Sequence, residues 1–168
     1  MAHRTVLIPL LVLSLHLAAP REAVAETHPS IGVAGGAIIP NGKLNRNTKI
    51  EWDFQYNWAL FVDIPIVKYF QLGPSAEIYR VGKLHLADMC LAFRFVIPTS
   101  YLAIHLGVVP GITAAAERVH VNLGGEVGLT GRIVANLAWF VDAKYEEVFT
   151  RGGGLHTIHL YGGLKFFF

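Results

Sequence analysis

The sequence is short of charge. Lys, Arg, Asp and Glu make up 15% of its 168 residues, against about 25% in an average soluble domain, while 53% of the residues are hydrophobic. A chain this apolar needs either an outsized core or a surface that faces lipid. It also lacks long hydrophobic runs. Beyond residue 30 nothing approaches the about 18 consecutive apolar residues of a membrane helix, so the apolar residues are dispersed. Dispersed, alternating hydrophobicity is what a β-barrel in a membrane requires. Cysteine is almost absent: Cys90 stands alone and forms no internal disulfide. Its strand-like neighbours mark it as a small packed residue rather than a reactive thiol. The formal net charge of +2 is too small to point to nucleic acid, and none is expected as a partner.

What the first 25 residues do contain is an export pattern. His3 and Arg4 form a short positive start, Thr5 to Ala19 an apolar stretch, and Ala23-Val24-Ala25 a small-residue cleavage site. The apolar stretch is short for an anchor helix, which needs about 20 residues. No cysteine follows the cleavage point, which argues against lipoprotein processing. Residues 1–25 are therefore expected to be a signal peptide, and 26–168 a single β-barrel domain with a net charge of +1, since Arg4, Arg21 and Glu22 leave with the leader.

Eight stretches of period-2 alternation follow. They are Ser30–Ile39, Trp52–Ile66, Phe70–Arg80, Leu84–Ile97, Leu102–Ala116, His120–Ile133, Trp139–Phe149 and Leu155–Phe168. The sixth is the plainest: Val121, Leu123, Val127, Leu129 and Ile133 alternate with Asn122, Gly124, Glu126, Gly128, Thr130 and Arg132. Connections at Val67-Lys68-Tyr69, Pro98-Thr99-Ser100 and Ala135-Asn136 are short. Those at Pro40–Ile50, Gly82-Lys83, Glu117–Val119 and Arg151–Gly154 are more basic and in places longer. Short turns at one end and longer loops at the other is the outer-membrane barrel arrangement. Pro74 and Pro110 fall inside strands, where a missing N–H predicts bulges or breaks.

Alternation alone fits a soluble barrel with an apolar interior equally well. Three features favour the membrane orientation: the export pattern, aromatic residues at strand ends (Trp52, Tyr56, Tyr69, Phe70, Phe95, Tyr101, Trp139, Phe149, Phe166, Phe168), and the C-terminal segment. There Leu164, Phe166 and Phe168 share one face, and the final residue is aromatic. This segment resembles the C-terminal assembly signal of outer-membrane barrels. Together with the glycine-rich Gly32-Val33-Ala34-Gly35-Gly36, Leu72-Gly73-Pro74 and Gly107-Val108-Val109-Pro110-Gly111, it makes the chain resemble the small eight-stranded outer-membrane barrels of the OmpA-transmembrane-domain and OmpX-like group. The resemblance covers about residues 30–168. It implies an all-β, eight-stranded antiparallel up-and-down transmembrane barrel in the outer membrane, inserted by the barrel-assembly machinery. It does not fix one function, since that group ranges from structural proteins to adhesins.

An eight-stranded barrel is just wide enough for side chains to fill it. The polar face supplies acids (Asp63, Glu77, Asp88, Glu126, Asp142, Glu146) and bases (Arg94, Arg132, Lys144, Lys165). Charges withdrawn from water need partners, so an internal ion-pair network plugging the lumen is expected, with a narrow ion or solute path as the alternative. The loops at the outer end carry Lys43, Arg46, Lys49, Arg80, Lys83, Arg118 and Arg151. Such a basic crown suits the phosphates of lipopolysaccharide, with ordinary solvated loops as the competing reading. His85, His120, His156 and His159 are expected near the same outer end but lack ligand spacing, so no metal site and no cofactor are expected. A lipid A-modifying enzyme would need a Ser/His/acid set. The serines beyond the leader are only Ser30, Ser75 and Ser100, and none is placed for that role. The expectation is a monomeric, non-enzymatic barrel with a structural or surface-interaction role, in contact with outer-membrane lipids and lipopolysaccharide.

Overall fold

A computed structural model describes residues 28–45, 48–50, 54–99, 101–115, 118–150 and 153–168. The expected leader lies outside these residues. Strand-forming alternation dominates the described chain, and the strands run in chain order: β1 (Ser30–Asn45), β2 (Thr48–Ile50), β3 (Gln55–Val67), β4 (Phe70–Val81), β5 (Leu84–Pro98), β6 (Ala103–Ala115), β7 (Arg118–Val134), β8 (Leu137–Thr150) and β9 (Gly153–Phe167). Every long strand pairs antiparallel with its neighbours, and β1 pairs with β9 from Ser30↔Phe167 to Gly42↔Leu155. The sheet thus closes into an eight-stranded barrel, and closure removes the free edge that an apolar last strand would otherwise present.

Where they are described, the eight alternating stretches correspond to the eight long strands, with one difference; Trp52, Asp53 and Ala116, at the ends of two stretches, lie outside the described residues. The segment from Pro40 is expected to be a loop, yet β1 continues to Asn45 and meets β2 at Gly42↔Ile50 and Asn45↔Thr48. Pro40 is tolerated because the β1–β3 ladder has already ended at Ile38↔Gln55, so the missing N–H falls where no neighbour needs it. Of the bulges or breaks expected at Pro74 and Pro110 the structure has breaks: β4 and β6 run through both positions without a register shift. Only the one-sided ladder is interrupted. Pro74 still pairs with Leu91 but has no partner in β3, and Pro110 pairs with Leu123 but has none in β5. A strand residue directs its N–H and C=O to the same neighbour, so a proline removes bonding on one side alone. Register shifts occur instead beside the short turns, between Pro65 and Val67 and between Arg132 and Val134, and at the basic end between Lys43 and Asn45.

Period 2 gives the wall two faces. Val33, Trp58, Leu60, Ile78, Met89, Phe93, Leu106, Val108, Val127, Val141 and Leu160 are exposed on the outside. On β7 the apolar outer face reaches from Val119 to Leu129. Ten residue steps of about 3.4 Å, tilted by about 40°, give a band about 26 Å tall, the height of an outer-membrane barrel belt. Aromatics edge the band. Phe54, Tyr56 and Phe149 lie toward the end with the basic turns; Tyr69, Phe70, Phe95, Phe166 and Phe168 lie toward the end with the short turns and described termini. Phe70 and Phe95 meet edge to face with ring centres 5.2 Å apart. Water would not tolerate this exterior; hydrocarbon does.

Candidate functional site

The inward residues of each strand are those that the polar half of the alternation singled out. Asp63, Glu77, Asp88, Arg94, Glu126, Asp142, Lys144, Glu146 and Lys165 are all buried, and Arg132 is half-buried at the lower rim over the ring of Phe167. They form two groups along the barrel axis.

The lower group centres on Arg94 of β5. Its guanidinium forms ion pairs with Asp63 of β3 and Glu126 of β7, and a second N–H reaches Glu126 Oε2 at 3.3 Å. The fork geometry of arginine makes this double engagement possible. Lys165 Nζ donates to Asp63 Oδ2 at 2.9 Å, and its ammonium also lies 5.4 Å and 5.7 Å from the ring centres of Phe140 and Phe61. These rings pack edge to face at 4.7 Å. His105 Nε2 lies 2.8 Å from Asp142 Oδ1. Glycines in the wall make room: a Cβ on Gly128 would meet the His105 ring 2.5 Å away and collide with Asp142.

The upper group centres on Lys144 of β8, whose Nζ donates to Glu77 Oε1 at 2.7 Å and lies 2.8 Å from Glu146 Oε2. Glu77 Oε2 is 3.0 Å from His159 Nδ1. Asp88 accepts from Tyr79 OH at 3.1 Å. Between the groups a cavity lined by Phe61, Glu77, Arg94, Glu126, Lys144 and Tyr161 has a volume of ≈ 10 Å³, about enough for one water. Above the upper group, Ile38, Val81, Leu86, Val148 and Leu155 form a buried apolar layer. Below the lower group, Val96 and Ala103 form a smaller one. Charge therefore occupies the middle of the lumen, with apolar layers toward both ends.

Sequence reasoning missed the histidines and aromatics that complete these groups. Expected with His85, His120 and His156 at the outer end, His159 is instead fully buried in the lumen. The period-2 count from Lys165 was the available signal, since 159, 161, 163 and 165 share a face. His85 is exposed, His120 is half-buried, and His156 faces outward, stacked on Tyr145 with its Nδ1 2.9 Å from the phenol oxygen. The four do not converge. Cys90 is buried beside Asn122, with Sγ 3.8 Å from Nδ2. Ser30 donates to Asp63 at 3.4 Å.

At the outer end Lys43, Arg80, Lys83 and Arg118 are exposed. Arg80 Nε donates to the carbonyl of Gly82 at 2.7 Å, bracing the tight β4–β5 turn. Arg46 and Arg151 lie outside the described residues; Lys49 pairs with Lys43 in the β1–β2 ladder, and its side chain also lies outside them.

No family model matches the sequence, and no curated protein matches it. Solved structures do. Neisserial surface protein A superposes with a TM-score of 0.72 at 10% identity, covering 88% of this chain and 100% of that one. A de novo designed transmembrane β-barrel gives 0.52 at 11% identity over 86% and 98%. Ail, the attachment invasion locus protein of Yersinia pestis, gives 0.52 at 17% identity over 84% and 99%. The chain has the fold of the small eight-stranded outer-membrane barrels. At these identities the likeness concerns the fold; the charged lumen and basic rim are read from this barrel's own residues.

Proposed function

We propose that the protein is a non-enzymatic barrel of the outer membrane with a structural or surface-interaction role, its lumen plugged by the two ion-pair groups and its basic rim in contact with lipopolysaccharide phosphates. The filled lumen carries this reading. Arg94 and Lys144 each bridge two acids across the bore, and the space between their groups admits about one water. The names of the similar proteins, a surface protein and an attachment protein, agree with a surface role. The export pattern of residues 1–25 and the outward row Leu164, Phe166 and Phe168 support delivery and insertion by the barrel-assembly machinery, with a monomer as product.

Two measurements test the proposal. In planar bilayers the refolded barrel is expected to be electrically silent; steady single-channel conductance would establish the narrow-channel alternative. For the rim, thermal unfolding is compared in bilayers with and without lipopolysaccharide. The variant Lys43→Gln/Arg80→Gln/Lys83→Gln/Arg118→Gln is expected to lose most of the stabilisation that lipopolysaccharide confers. Equal stabilisation of variant and wild type would refute the contact. Unchanged lipid A masses in cells expressing the protein are expected as well, and a modified lipid A would revive the enzyme reading.

A further inference from the structure

The upper lumen holds more negative charge than its neighbours cancel. Glu77, Asp88 and Glu146 contribute three carboxylates, and Lys144 one ammonium. Lys144 is occupied by one oxygen each of Glu77 and Glu146. Asp88 Oδ2 and Glu146 Oε1 are buried and have no hydrogen-bond partner among the described residues. Both side chains are at most 1% exposed, and the apolar layer of Ile38, Val81, Leu86, Val148 and Leu155 lies above them. Carboxylates buried in this way persist only when a proton or a counter-charge meets them.

We propose that this cluster is a divalent-cation site centred on Asp88, with Glu77 and His159 as the accompanying ligands. One ligand atom from each of these three lies within 4.8 Å of the other two, and the same holds for Asp88, Cys90 and Glu146. Asp88 belongs to both sets, and its free oxygen is the atom that lacks a partner. A tetrahedral ion with bonds of about 2.1 Å holds its ligands about 3.4 Å apart, so side-chain shifts of roughly an ångström complete the geometry. The charges then balance: a divalent ion and Lys144 together match the three carboxylates. His159 is set for the role, because its Nε2 lies 2.9 Å from Thr157 Oγ1. That bond fixes the ring and leaves Nδ1 facing Glu77. Two carboxylates and an imidazole suit zinc, manganese or ferrous ion better than calcium or magnesium, which take oxygen ligands. The site is hidden at the level of sequence because His159 lies close to the outer turn residues. The proposal rests on the filled-lumen reading, since an aqueous pore would solvate these carboxylates.

The test refolds the full chain in detergent with one to two equivalents of Zn²⁺ or Mn²⁺, or with chelator. Metal content after desalting is then measured by mass spectrometry, and thermal unfolding by the heat-dependent gel shift. The wild type is expected to retain one ion per chain and to unfold at higher temperature than the chelator-refolded protein. Asp88→Asn and His159→Gln should fold to the compact form and retain less than a tenth of an ion. His85→Ala/His156→Ala, which removes outward imidazoles, should retain the wild-type amount. A folded wild type without ion and without a metal-dependent shift overturns the proposal and leaves protons as the balancing charge. An ion lost with the outward histidines but kept by Asp88→Asn also overturns it. If the lumen variants do not fold, the wild-type comparison alone decides. Bilayer conductance of the same preparations separates the two readings: silent and metal-free removes the ion but keeps the plug, whereas a conducting barrel removes the plug.

Discussion

Arg94 bridges two buried acids in the lower lumen, and its removal tests the internal network quantitatively. Arg94→Met keeps much of the side-chain volume and deletes the guanidinium. Asp63 retains Lys165 at 2.9 Å, but Glu126, itself buried, loses both of its bonds to Arg94. Breaking a buried pair by deleting one partner costs about 3–5 kcal/mol, whereas removing both charges costs much less. Arg94→Met is therefore expected to lose about 3 kcal/mol or more, roughly a 150-fold fall in the folded-to-unfolded ratio. Arg94→Met/Glu126→Leu should recover at least about half of that loss, a coupling energy within the range seen for contacting residues. Equilibrium urea unfolding in lipid vesicles, followed by tryptophan fluorescence, gives the three free energies. A loss below about 1 kcal/mol for Arg94→Met, or a double variant less stable than the single, would refute the claim that these charges depend on one another.

Other expectations follow from the same geometry. Gly128→Ala pushes a methyl group into the His105–Asp142 pair and should cost about 1–3 kcal/mol. At Gly125 the nearest heavy atom to an added Cβ is 3.7 Å away, so Gly125→Ala should stay within about 0.5 kcal/mol in the same urea assay. Val127→Lys places a charge on the mid-height outer wall and should cost about 2–4 kcal/mol in bilayers, with Val119→Lys at the rim costing under about 1 kcal/mol. Phe140→Ala removes the ring against Phe61 and beneath Lys165; it should cost about 3–5 kcal/mol and raise bilayer conductance above the wild-type baseline.

The period-2 pattern carried most of the fold because a barrel wall has only two environments, lipid and lumen, and each residue must suit one of them. Which face of Trp58, Glu77, Met89, Arg94 or Val127 points outward follows directly from their neighbours. At Pro74 and Pro110 the expected break is there, but it is one-sided, since a proline costs bonding to one neighbour only and the strand runs on without a bulge. The extension of β1 past Pro40 was hidden for the same reason. Within the lumen the ten charged residues were legible as a set, but their partners were not. The bridge from Arg94 to Asp63 and Glu126 joins residues far apart in sequence and on different strands, so it depends on barrel closure and register. His159 shows the same limit: its sequence position near the outer turn says little, and its side-chain direction decides everything.

In the proposed function the apolar face of this wall lies against membrane hydrocarbon and the charged face lines a filled lumen. Spin labels placed singly along β7 from 119 to 129, on a Cys90→Ala background in bilayers, test it directly. Labels at Val121, Leu123, Val127 and Leu129 should be readily reached by oxygen and poorly by a water-soluble nickel complex, while labels at Asn122 and Glu126 should be poorly reached by either, giving a period of two. Uniform access of the nickel complex to the apolar positions, with no such alternation, would show that this face is in water and overturn the membrane placement.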